Sequence, residues 1–188
     1  LLSILGGLVA ETSNTPSAYE LGFSGTPETV RALAIRGKPQ DYWGTLQGAV
    51  DAFEKEGRTE NLQQYMAGYM SEQVNNVWYP LDRSPGRQNY WMGQDCQNIF
   101  TGTAMKLIES SAHPLETGRM LLADMTDHER QVALNMLVNS ASWHDKPVSL
   151  ETAILLGGSI CAKREYCVYA AADRGSVQAL EVLYKHNA

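Results

Sequence analysis

Apolar residues recur every three to four positions along much of this chain. Val30, Leu33 and Ile35 mark one stripe, Val132, Met136 and Leu137 a second, and Leu180, Leu183 and Tyr184 a third. That spacing gathers side chains on one helix face, because a helical turn takes about 3.6 residues. No stretch of similar length alternates with the period of two that a half-buried strand requires. The pattern predicts an all-α fold.

Five fragments share a layout: GTPETVRALAIRG (25–37), GRTENLQQYMAG (57–68), HPLETGRMLLAD (113–124), DKPVSLETAILLGG (145–158) and GSVQALEVLYKHN (175–187). Each opens on Gly or on a polar or Pro-containing turn, then shows paired apolar positions. Aligned on Val30, Leu62, Leu115, Leu150 and Leu180, the steps are 32, 53, 35 and 30 residues. Helical-repeat units recur on that scale, and the long step holds one unit plus roughly 20 inserted residues. Three fragments carry Glu-Thr, at 28–29, 116–117 and 151–152. Gly25, Gly57 and Gly175 suit a positive φ at the end of a first helix, and Gly37, Gly157 and Asn187 suit a left-handed cap on a second. Pro27, Pro114 and Pro147 fall in the turn or at the first helical position, where a missing amide costs nothing. A lone pair of short helices cannot cover its own apolar face. The expected architecture is therefore a set of stacked helix-turn-helix hairpins, with an irregular helical bundle as the alternative.

The segment YAAADRGSVQALEVLYKHNA (169–188) resembles the two helices of an ankyrin repeat. Ala170, Ala171 and Ala172 stand as the small residues of the first helix, Arg174-Gly175 at the turn, Val177, Leu180 and Leu183 as core of the second, and Asn187-Ala188 at the cap. AYELGFSGTPETVRALAIRG (18–37) is similar, with the same number of residues from Gly25 to Gly37 as from Gly175 to Asn187. The resemblance implies an ankyrin-like or other α-solenoid scaffold that binds proteins. No unit carries the Thr-Pro-Leu-His turn usual in that family, and β-hairpin fingers are not evident between units.

The segment 75–98, NNVWYPLDRSPGRQNYWMGQDCQN, reads as an inserted loop, because Pro80, Pro85 and Gly86 break regular structure. It gathers Trp78, Tyr79, Tyr90 and Trp91 beside Arg83 and Arg87, the residue types enriched at binding hot spots. These six are the expected partner-binding residues. The competing expectation is a plug that folds back into the core.

Other chemistry is sparse. Asp124 and His128 would share a face on one helix, yet HERQV at 128–132 lacks the second His of a zinc-binding HExxH pattern. TDHE at 126–129 reads instead as a capping box headed by Thr126. His144 adjoins Asp145, and neighbouring residues on a helix point apart. A hydrolase using His128 or His144 is the third expectation for function, and no metal or cofactor is implied. Met66, Met70, Met105, Met120, Met125 and Met136 lie on apolar stripes and are expected to fill core.

Charge and cysteine usage narrow the partners. The 188 residues carry a formal charge of -6, which disfavours wholesale binding to nucleic acid or to an anionic membrane and favours a basic protein partner. Cys96, Cys161 and Cys167 lack metal-site spacing. They read as buried thiols, or as a Cys161–Cys167 bridge in an oxidising compartment. Residues 1–17 read as a first helix or as a signal-like segment, LLSILGGLVA followed by ETSNTPS, and ten apolar residues cannot span a bilayer. Residues 1–188 are thus expected to form one helical domain acting as a non-enzymatic protein-binding adaptor, cytoplasmic by default. If residues 1–10 are a signal remnant, the alternative is an exported acidic inhibitor or immunity protein that occludes a toxic enzyme.

Overall fold

A computed structural model describes residues 15–36, 39–75, 99–160 and 164–187. Every regular element among them is a helix: α1 Ala18–Ser24, α2 Pro27–Arg36, α3 Pro39–Glu56, α4 Glu60–Asn75, α5 Ile99–Ser110, α6 Pro114–Leu121, α7 Asp127–Trp143, α8 Pro147–Leu155, α9 Arg164–Arg174 and α10 Val177–Asn187. The all-α expectation holds.

Local chemistry sets these boundaries. Pro27, Pro114 and Pro147 are the first residues of α2, α6 and α8. Ser17 with Glu20, and Thr126 with Glu129, close capping boxes at the starts of α1 and α7, the second as TDHE predicts. Gly57 and Gly175, both at φ 68°, and Gly157, at φ 99°, take the left-handed conformation that L-residues avoid. Gly25 does not: its φ is -69°. The Asn61 side chain explains the difference, donating through Nδ2 to the carbonyls of Gly22 (2.9 Å) and Gly25 (3.1 Å) from the start of α4. A buried amide thus satisfies the end of α1, where a left-handed residue does so elsewhere. At the α7–α8 turn the left-handed position falls to Asp145, at φ 51°.

The helices pair into five hairpins, α1–α2, α3–α4, α5–α6, α7–α8 and α9–α10. Packing then runs from each hairpin to the next. The leading helices contact as α1 on α3, α5 on α7 and α7 on α9, and the trailing ones as α2 on α4, α4 on α6, α6 on α8 and α8 on α10. No principal packing contact among the described helices joins elements more than three apart in the chain. Units that meet chiefly their neighbours form a stack. Among the described helices α4 touches α5, α6 and α7, so the second hairpin meets the fourth as well as the third.

A continuous apolar core threads the stack from Val30 in α2 to Leu183 in α10. Met66, Met70, Met105, Met125 and Met136 are buried in it and Met120 lies against it, as core filling predicts. Several finer expectations change. Leu115 is half-buried and Thr117 takes the buried fourth position, because α6 starts two positions later than the apolar alignment implies. The three Glu-Thr pairs do different jobs: Thr152 is buried against Gly118 of α6 and Thr117 is buried with its hydroxyl on that of Ser111, whereas the Thr29 amide donates to Thr26 at the start of α2. Ala172, Val177 and Tyr184, expected as inner or core positions, are exposed.

The closest approach in the stack is α1 on α3. Ala18 and Gly22 of α1 meet Gly44 and Gly48 of α3, two small-residue pairs each spaced by four. A Cβ added at Gly22 would lie 2.0 Å from the Thr45 carbonyl oxygen, and one at Gly48 would lie 2.2 Å from that of Tyr19. Backbone packs on backbone, so only glycine fits.

Candidate interaction surface

Junctions between hairpins reuse a few devices, and the side chains they leave over form the surface. An acid of one hairpin caps the next trailing helix: Glu109 Oε1 accepts from the Ser149 amide at 2.8 Å, and Asp145 Oδ1 from the Ala179 amide at 2.9 Å. Both amides belong to the third residue of their helix, where backbone donors lack partners and negative charge is favoured. An arginine beside a turn covers an aromatic ring of the preceding hairpin, Arg58 over Phe23 at 5.0 Å and Arg174 over Trp143 at 4.0 Å. Arg31 Nη1 donates to Gln64 Oε1 (3.1 Å), and Gln64 Nε2 donates to Asp124 Oδ2 (2.8 Å), linking three hairpins. Glu151 on α8 receives Lys185 Nζ and lies 3.3 Å from His186 Nε2, both on α10. The Lys185 hydrogen bond, then that of His186, holds the Glu151 carboxyl below the usual range.

The first junction has its own polar hub. Asp51 of α3 accepts from Lys55, from Gln47 and, at 2.9 Å, from the Tyr19 hydroxyl of α1. These hydrogen bonds, Lys55 first, lower its carboxyl to about 2. The same carboxylate raises the Tyr19 hydroxyl, chiefly through their hydrogen bond. Two turns before Asp51, Trp43 projects from the regular helix α3 with 63% of its surface exposed. At the other end of the stack, Val168 and Tyr169 of α9 and Val177 and Tyr184 of α10 are exposed as well.

Trp78, Tyr79, Arg83, Arg87, Tyr90 and Trp91 lie in 76–98, outside the described residues, as do Cys96, Cys161 and residues 1–14. Cys167 is buried, with its sulfur 3.0 Å from Asn139 Oδ1. The two histidines singled out as catalytic candidates take ordinary surface places. His128 is exposed in the first turn of α7, and Asp124 sits in the preceding turn bonded to Gln64, so the pair shares no helix. His144 is exposed at the end of α7, while the Asp145 carboxylate turns to the Ala179 amide. Among the described residues no group of three His, Cys, Asp or Glu could hold a metal ion, and no helix is long and apolar enough to cross a membrane.

Sequence reasoning missed Trp43, because α3 also carries Tyr42, Leu46, Val50 and Phe53 and its tryptophan reads as one more core residue. The register of Gly44 and Gly48 was the available signal: those glycines pack on α1, and position 43 lies well around the helix from both. No protein-family model, no curated protein sequence and no solved structure matches this chain.

Proposed function

We propose that this chain is a non-enzymatic protein-binding scaffold whose stacked hairpins present anchors to a basic protein partner. The observation that carries this reading is Trp43, a large amphipathic side chain left 63% exposed on a rigid helix. Burying such a ring against a partner removes apolar area from water at little conformational cost, because the helix already fixes its backbone. The formal charge of -6 favours encounter with basic surfaces, an effect that weakens with salt. Repeat stacks suit this role, since surface positions vary while the junctions keep the fold. The aromatic and arginine residues of 75–98 extend the same reading.

Affinity capture from the native source tests it, using wild type, Trp43→Ala and the Trp78→Ala/Trp91→Ala double variant, with thermal midpoints measured in parallel. The expected result is a discrete protein retained by wild type and weakened by about 2 kcal/mol, roughly 30-fold, in Trp43→Ala at an unchanged midpoint. Retention by no bait, or equal retention by all three, refutes the proposal.

A further inference from the structure

We draw no further inference here: the strongest candidate, the exposed face of α3 that carries Trp43 and Gln47, belongs to the interaction surface already described.

Discussion

Replacing Gly48 by Ala sets two magnitudes against each other. In an isolated helix the exchange is favourable by about 0.8–1.0 kcal/mol, because glycine loses more backbone entropy on ordering. In this fold the new Cβ would lie 2.2 Å from the Tyr19 carbonyl oxygen and 2.7 Å from the Phe23 amide nitrogen, both backbone atoms of α1. Real Cβ contacts do not fall below 3.0 Å, so α1 and α3 must separate by about 0.8 Å or more. No rotamer can yield, since nothing at the contact is a side chain. Overpacking of this kind costs about 1–3 kcal/mol and more where backbone must move. The clash therefore wins, with a net loss of about 2 kcal/mol and a thermal midpoint lowered by roughly 4–8 °C in a chain of this size. Gly102→Ala is the control. Gly102 is exposed on α5 with nothing within 4 Å of an added Cβ, so propensity acts alone and the midpoint should rise by about 2–4 °C. Scanning calorimetry of both variants decides the matter. A Gly48→Ala protein as stable as wild type would refute the backbone-to-backbone packing of α1 on α3.

Further outcomes follow from the junctions. Asn61→Ala removes two hydrogen bonds and strands the carbonyls of Gly22 and Gly25, and should cost about 2–3 kcal/mol in urea denaturation, whereas a loss below about 0.5 kcal/mol contradicts the cap. Asp145→Ala should lose about 2 kcal/mol, combining the missing cap on Ala179 with a left-handed alanine, while Asp145→Gly loses only about 1 because glycine accepts φ 51°. Equal losses for the two exchanges argue against that division. The Asp51 carboxyl lies below its ordinary value of 3.8, so its contribution to stability is present above about pH 4 and disappears as pH falls toward about 2. Carboxyl NMR should place its midpoint near 2 in wild type and closer to 3.8 in Lys55→Ala, and an unmoved midpoint would show that Lys55 is not the leading cause.

Much of this fold is legible in the sequence because short-range chemistry specifies it. Prolines at 27, 114 and 147, the Thr126 box and the glycines at 57, 157 and 175 mark helix starts and stops without reference to anything distant. What the sequence conceals depends on neighbours several turns away. Gly25 reads like the other turn glycines, and only Asn61, far along the chain, relieves it of a left-handed role. Tyr184 and Val177 carry the same apolar periodicity as Leu183, yet a stripe alone does not say which half of it the next hairpin covers. Asp145 beside His144 invites a catalytic reading, and its true partner is a backbone amide of α10. The surface was harder still. Trp43 differs from a core aromatic only in facing away from Gly44 and Gly48, a distinction that requires knowing what packs on α3.

Native-state hydrogen exchange of Leu183→Ala probes the stack most directly, because Leu183 is buried between the fourth and fifth hairpins. If hairpins depend only on adjacent hairpins, amides of α9 and α10 lose protection, those of α7 and α8 lose less, and α1 to α4 keep theirs. An equal loss across all the helices would mean one indivisible core, and the picture of stacked units would be wrong.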